Sequence, residues 1–392
     1  MGCMHALPTP LSEAARGPQR RPPSTHASRP TRAEVDLSAL THNLGVVRAI
    51  APASRLYAVV KADAYGHGLV PVARCLERQG VDGLCVALAE EGLTLRSRGV
   101  TTPILVLSGA YGDAHERVLR AHLTPVIHSH GQAEAFHSAA DGVTVGVHLK
   151  LDTGMGRLGI PLHELSGFLD ALAGLPNLRL DGVMTHFSSA DTDAAFTHVQ
   201  HSRFDDALRA ITGRGHAPRF VHAANSAATF AYPEARHSLV RVGIALYGVP
   251  PLPGFGAALR PVMSLRTEVL ALRELPTGSS IGYDQTYCTS RPSRIATVPI
   301  GYGDGLMRAA SNRGSMLVGG RRCPIVGRIS MDLTTLDVTD VPGCSVGDEA
   351  IVIGRQADAQ ISASELALAC DTIPYEVLTN VSPRVPRIYL GA

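Results

Sequence analysis

Of the 36 basic Lys and Arg residues only Lys61 and Lys150 are lysine; every other one is arginine. Lys61 ends the apolar run of "RLYAVVKADAYGHG", and Lys150 lies in "VHLKLDTGMGRLG". A chain whose generic cation is arginine keeps lysine where an amine is needed, because a guanidinium stays protonated whereas a buried lysine readily loses its proton. A neutral amine can add to a carbonyl and form a Schiff base. Gly66 and Gly68 would let the backbone come close to a ligand there, and Tyr65 is placed to donate a hydrogen bond to it.

Further polar residues fall at the ends of apolar runs: Arg157 in "GMGRLG", His186 in "GVMTHFSSAD", Asn225 and Ser226 in "HAANSAATF", and Arg241, Gly243 and Ile244 in "VRVGIALYG". Ser226 reads as the start of a helix, with its hydroxyl and nearby N–H groups facing an anion. Gly243 gives backbone access from the other side. An aldehyde-trapping lysine beside a phosphate cradle points to pyridoxal 5′-phosphate as cofactor.

The elements that must gather these residues are short β-rich runs at 56–61, 83–87, 104–107, 124–127, 145–151, 180–184, 219–222 and 238–241, separated by helical patterns. This alternation predicts an α/β fold, a closed (β/α)8 TIM-like barrel, with a doubly wound open sheet as the competing topology. In a barrel the chemistry sits at the C-terminal ends of the strands, and the loops after the last two strands commonly hold phosphate. Beyond residue 262 the pattern changes to β-branched runs between Gly, Pro and Asp turns, interrupted by one helix near 362–371. The expected domains are a disordered tail at 1–31, a barrel at 32–261 whose last stretch, 250–261, is a hinge, and a C-terminal mainly-β domain at 262–392.

The formal net charge is +2, with no long basic run outside the N-terminus, so no nucleic-acid partner is expected. No apolar stretch is long enough to span a membrane. Cys3, Cys75, Cys85, Cys288, Cys323, Cys344 and Cys370 are scattered without a Cys-x-x-Cys, which predicts free thiols in a reducing cytoplasm. There is no His-Glu-x-x-His. His128, His130 and His137 lie close together without flanking acids and read as ordinary histidines, so no metal is expected. The N-terminal tail is rich in Pro, Arg, Ser and Ala and lacks the apolar core of a signal peptide. Ala6 stands where a myristoylation signal has Ser or Thr.

Taken together, "AVVKADAYGHG", "VHLKLDTGMGRLG", "GVMTHFSSAD", "HAANSAA", "RVGIALYG", "IGYDQTY", "VPIGYGDG", "CPIVGRISMD" and "IPYEVLTNVSPRVPR" resemble the alanine racemases, fold-III pyridoxal-phosphate enzymes. The resemblance runs from Arg32 nearly to the C-terminus. It implies an isomerase that interconverts L- and D-alanine and supplies D-alanine for peptidoglycan in a bacterial cytoplasm. It also implies a homodimer with shared active sites, and a strand near Ala33–Leu37 that joins the β domain. By motif, Lys61 would hold the cofactor covalently and serve as one catalytic base. Tyr283, reaching in from the partner, would be the other. Tyr65, Asn225, Ser226, Gly243, Ile244 and Tyr375 would bind the cofactor, mostly at its phosphate. His186 would lie by the pyridine ring and Arg241 at its nitrogen. Arg157 and the Met331 backbone would hold the substrate carboxylate, with Tyr302 at the entrance, also across the interface. Lys150 would be a carbamylated lysine that positions Arg157.

Physical chemistry agrees with several of these roles. Racemisation needs a proton donor or acceptor on each face of Cα. Arginine at the pyridine nitrogen hardly gives up a proton, which weakens the cofactor as an electron sink and restrains side reactions. Asp284 departs from the glycine that often follows the catalytic tyrosine, and Tyr287 offers a competing tyrosine nearby. A broad-specificity amino-acid racemase is the nearest alternative; a non-catalytic carrier or homeostasis protein for pyridoxal phosphate is the alternative from another class. A fold-III decarboxylase would need a Gly-rich phosphate loop and a catalytic cysteine in context, and Gly319-Gly320 and Cys323 lie elsewhere.

Overall fold

The computed structural model describes residues 29–255 and 258–391. The first strand, β1 (Arg32–Asp36), ends in a carboxylate that caps helix α1 (Leu37–Ile50) by accepting the N–H groups of Ser38 and Ala39. Eight strands follow: β2 (Arg55–Val59), β3 (Gly83–Val86), β4 (Ile104–Val106), β5 (Thr124–Ile127), β6 (Val145–Asp152), β7 (Leu178–Met184), β8 (Phe220–His222) and β9 (Leu239–Val242). All are parallel, in the order β9-β2-β3-β4-β5-β6-β7-β8. The last strand pairs with the first, and the two ends of this order, β9 and β8, approach each other, so the sheet nearly closes on itself instead of lying open. The gap between β8 and β9 is bridged by the Arg241 N–H donating to the Ala224 carbonyl at 3.0 Å and the Val221 N–H donating to Ser238 Oγ at 2.8 Å.

Helices α2 (Leu69–Arg78), α3 (Ala89–Ser97), α4 (Ala114–Arg120), α5 (His130–Ala139), α6 (Leu165–Ala173), α7 (Ala194–Gly213) and α8 (Ser226–Ala231) lie between the strands. The strands are buried on both faces, as β3 and β4 are throughout, which is why they read as unbroken apolar runs.

The C-terminal domain is mainly β. Its largest sheet contains β10 (Met263–Glu268), β15 (Ser315–Val318), β16 (Arg321–Pro324), β18 (Glu349–Gln356), β19 (Ala359–Ile361) and β20 (Arg387–Leu390). A smaller sheet runs β11 (Ala271–Leu275), β14 (Ser293–Val298), β17 (Thr334–Asp337), and a short hairpin pairs β12 (Ser280–Ile281) with β13 (Tyr287–Cys288). Helices α9 (Ala363–Ala369) and α10 (Pro374–Thr379) precede the last strand; α9 lies within the predicted 362–371, and α10 lies beyond it. The β1 strand sits between β10, antiparallel, and β20, parallel, so the segment leading into the barrel is built into the β domain's own sheet.

The expected tail lies outside the described residues as far as residue 28. Its end is packed: the Arg29 guanidinium donates to the buried Asp304 carboxylate at 2.8 Å and 3.0 Å, and the buried Thr31 hydroxyl donates to the Pro299 carbonyl at 2.6 Å.

Two glycines of "AYGHG" differ in role from the sequence reading. A Cβ on Gly66 would stand 2.2 Å from the Leu378 carbonyl oxygen, and one on Gly68 would stand 1.9 Å from the Tyr389 hydroxyl. Both have positive φ. They admit the β domain rather than a ligand. Arg387 completes the junction by donating to the Gly66 carbonyl from two nitrogens, at 3.0 Å and 3.1 Å. Among the described residues no helix is long and apolar enough to cross a membrane, and the cysteines are free thiols.

Candidate active site

The β2 strand stops at Val59, and Lys61 opens an uncommon turn. Ala62, Asp63, Ala64 and Tyr65 all have φ near +53°, a left-handed helical turn without glycine. Such a conformation costs roughly 1–2 kcal/mol per L-residue, so its surroundings must impose it. Glu91, in the first turn of α3, accepts the Ala62 N–H on one oxygen at 2.6 Å and the Ala87 and Leu88 N–H groups on the other at 2.8 Å and 3.1 Å. Asp63 accepts the Leu69 N–H at 2.7 Å and so ties the far side of the turn to α2. The turn brings both Lys61 and Tyr65 to one cavity of about 370 Å³.

Lys150, Arg157, His186, Asn225, Ser226, Arg241, Gly243, Ile244 and Tyr375 line the same cavity. Four of the lining side chains are cationic types and none is a carboxylate. Burial, with the Arg157 guanidinium, holds the Lys61 ammonium below the usual lysine range against the opposing pull of Glu91. Burial pushes Lys150 down to about 8, and the Arg157 and Arg241 charges add to this.

One end of the cavity is built from close approaches. Asn225, the residue before α8, caps that helix by accepting the Ala228 N–H at 3.0 Å, so Ser226 is its first helical residue rather than its cap. Ser226 Oγ instead accepts the Gly243 N–H at 3.0 Å. A Cβ on Gly243 would sit 2.4 Å from the Tyr65 hydroxyl. Tyr65 stacks on Tyr247 with ring centroids 4.8 Å apart and lies 5.8 Å from the Tyr375 ring. Burial raises the Tyr65 hydroxyl above the ordinary tyrosine range, so it is a neutral donor.

The other end rests on Arg241, buried within the barrel. Its NH1 donates to His222 Nδ1 at 2.8 Å and to the His222 carbonyl at 2.9 Å. Its NH2 reaches the Thr185 carbonyl at 2.8 Å, His186 Nδ1 at 3.3 Å and the Ala223 carbonyl at 3.3 Å. A guanidinium can only donate, so His222 and His186 accept at Nδ1 and carry their protons on Nε2. His222 Nε2 then donates to His148 Nδ1 at 2.9 Å. Burial, followed by the Arg241 charge, holds His186 and His222 well below the usual histidine range and therefore neutral.

Glu91, His148 and His222 were not singled out from sequence. His148 had a usable signal: it lies two residues before Lys150 on β6, so both point to the same side of the strand. Glu91 had none, being one acid among several at a helix start.

Tyr283, Tyr302 and Met331 are not among the residues lining this cavity. They lie on the β domain with exposed side chains, Tyr283 at 67 %. Tyr302 and Met331 are neighbours there, through the Tyr302 N–H to the Ser330 carbonyl at 3.0 Å and the Gly303 N–H to the Met331 carbonyl at 2.9 Å. Asp284 takes φ of +57°, and its carboxylate pairs with Arg328 at 2.7 Å. Tyr287 belongs to the β12–β13 hairpin and packs against the cluster of Ile281, Ile295 and Val326.

Comparison with known proteins agrees with this architecture. Residues 35–251 match the family described as alanine racemase, N-terminal domain, and residues 262–389 match alanine racemase, C-terminal domain. An alanine racemase of Sorangium cellulosum is 48% identical over 375 residues, covering 92% of this chain and 99% of the relative. One of Geobacter sulfurreducens is 43% identical over 374 residues, covering 93% and 98%. The crystal structure of alanine racemase from a D-cycloserine-producing Streptomyces lavendulae superposes with a TM-score of 0.89 at 35% identity, covering 94% of this chain and 98% of that one. The alanine racemase from Bacillus anthracis with bound L-Ala-P gives 0.86 at 38% identity, covering 93% and 96%. With both domain families matched and these likenesses spanning nearly the whole length, the chain belongs to the alanine racemase family.

Proposed function

We propose that this chain interconverts L- and D-alanine with pyridoxal 5′-phosphate held at Lys61, and that it works as a homodimer in which the partner subunit's Tyr283 completes each site. The observation that carries the proposal is the cavity itself. Lys61, Lys150, Arg157 and Arg241 surround it with no carboxylate among its lining residues, which suits a doubly anionic guest, a phosphate and a carboxylate together.

The residues present fit the cofactor. The Gly243 cradle is a space that a Cβ would fill. The Tyr65 hydroxyl, Ser226 Oγ and the N–H groups of Gly243 and Ile244 would hold the phosphate there, with Tyr375 and Asn225 beside them. The terminal nitrogens of Arg241 are committed to protein acceptors, so its Nε–H is the donor that would serve the pyridine nitrogen. When bound, pyridoxal phosphate withdraws electrons from the substrate Cα and acidifies its C–H bond.

Lys61 is suited to hold a proton only briefly, because burial and Arg157 disfavour its ammonium. Arg157 holds the substrate carboxylate, helped by the Met331 backbone, and Lys150 as a carbamate would steady Arg157. A carbamate forms from a neutral amine, and a lysine brought down to about 8 supplies one. His186, with its proton on Nε2, can donate to the incoming tyrosine oxygen and favour its deprotonated form. Tyr283 is the better candidate than Tyr287, since its side chain is free while Tyr287 is packed. Tyr302 would stand at the entrance. The product would supply D-alanine for peptidoglycan in the cytoplasm.

The test is L-alanine in deuterated water with the cofactor-loaded protein. D-alanine labelled at Cα is expected, and borohydride should fix the cofactor to Lys61. Unlabelled, unconverted alanine would leave only the carrier reading, and equal turnover of many amino acids would make the enzyme a broad-specificity racemase.

A further inference from the structure

The geometry points to a divalent transition-metal site, best matched to Zn2+, formed by His201, Asp205 and His237 on the outer side of the barrel. His201 and Asp205 are four residues apart on α7 and so share one helix face. His237 comes from the turn just before β9, 36 residues after His201. That separation explains why no motif was visible in the sequence.

The donor atoms converge. The two Nε2 atoms stand 3.2 Å apart. Two imidazoles bound tetrahedrally to zinc, with Zn–N of about 2.0–2.1 Å, place their nitrogens about 3.3 Å apart. The Asp205 carboxylate oxygens lie 3.8 Å from His201 Nε2 and 3.9 Å from His237 Nε2. A small rotation of one side chain closes that edge. These atoms meet the spacing required of a three-ligand group, and theirs is the single such group among the described residues.

The surroundings favour a metal over a plain contact. The side chains of His201 and His237 are 13% and 17% exposed, and that of Asp205 is 37% exposed. The imidazoles are thus shielded and one coordination position stays open to solvent. Phe187 packs edge-on against His201, and Phe204 packs edge-on against His237, which fixes the ring planes. The Ser54 hydroxyl donates to the His237 carbonyl at 2.8 Å and anchors the turn. Among the described residues Asp205 has no arginine partner; the neighbouring Arg209 pairs with Asp206 instead. Two imidazoles and one carboxylate suit Zn2+ and its first-row neighbours rather than Mg2+ or Ca2+. Bound there, the ion would pin α7 to the turn that leads into β9.

The test uses the cofactor-loaded full chain stripped with a chelator, then titrated with Zn2+ alone and, separately, with Co2+ alone. One Zn2+ per chain should bind and raise the Tm. His201→Ala and Asp205→Asn should each weaken binding about tenfold or more and abolish the Tm rise, while keeping the cofactor's absorbance as proof of folding. The unaltered chain loaded with Co2+ should show tetrahedral d–d bands without thiolate charge transfer. Zn2+ binding of equal strength in the variants, a thiolate signature in the Co2+ spectrum, or no binding at all would overturn the site.

Discussion

The Glu91 carboxylate accepts the Ala62 backbone N–H at 2.6 Å, one residue past Lys61. It thereby clamps a left-handed turn that alanine and aspartate would not adopt unaided. Glu91 also stands close enough to favour the Lys61 ammonium. Glu91→Gln keeps the shape but turns an NH2 group toward backbone donors. It should lower stability by about 1–3 kcal/mol and reduce kcat about tenfold as the Lys61 amine loses its aim. The charge has a separate effect. Without it the Lys61 pKa falls further, so the acidic limb of the kcat–pH profile should move to lower pH. An unmoved limb with reduced stability would make Glu91 merely structural.

Gly243 faces the Tyr65 hydroxyl so closely that even one methyl group must displace it. Gly243→Ala should leave the fold intact and weaken cofactor binding by roughly 100-fold or more, the loss of about two hydrogen bonds to a charged group at 1.5–3 kcal/mol each. Titrating the stripped protein with pyridoxal phosphate reads this directly. An unchanged affinity would place the phosphate elsewhere.

Lys150 carries a pH signature whose sign can be stated. Its folded pKa is about 8, below its usual value of 10.5. Below pH 8 the folded chain must hold an ammonium that burial disfavours, so the penalty is fully present there. It fades as pH rises from about 8 toward 10.5, where the unfolded chain binds more protons than the folded one. In buffer freed of carbon dioxide, Lys150→Met should therefore be more stable than the unaltered chain at pH 7, with the difference shrinking by pH 10. Bicarbonate should stabilise the unaltered chain alone, and labelled bicarbonate should give a carbamate signal by NMR. A difference that does not change with pH would refute the depressed pKa.

The barrel strands were legible because strands buried on both faces leave continuous apolar runs between glycine and proline breaks, as "YAVV" and "GLCV" do. Lys61 was legible for a chemical reason, its rarity. What escaped was set by partners far along the chain. Gly66 and Gly68 looked like a ligand-facing pair, yet their close neighbours are Leu378 and Tyr389, over three hundred residues later. Asn225 rather than Ser226 became the cap, because either residue type can cap a helix and only the backbone decides between them. Arg241 was legible, but the layer that joins it to His222 and His148 was not, because each histidine sits in an apolar strand and the three meet only across the barrel. The choice of Tyr283 over Tyr287 rested on motif resemblance, and the hairpin adds a physical reason by packing the second one.

That polar layer supplies the sharpest test. Arg241 meets five acceptors from two nitrogens: two histidine ring nitrogens and three backbone carbonyls. Burial lowers its pKa to about 10, so it remains a cation at neutral pH. Arg241→Lys keeps the charge but offers three donors from a single point, which cannot span the His222 and His186 rings together. At least one ring nitrogen and one carbonyl would be left without a donor, and each buried orphan costs about 1–3 kcal/mol. Urea unfolding should show a loss of about 2–6 kcal/mol on that basis. His222, released from its donor, could exchange tautomers with His148, so the imidazole N–H signals of both should broaden or shift in NMR spectra. Racemisation should fall more than cofactor affinity, because the phosphate cradle lies at the other end of the cavity. A variant as stable as the unaltered chain, with unchanged imidazole signals, would show that Arg241 does not set the protonation of the histidines around it.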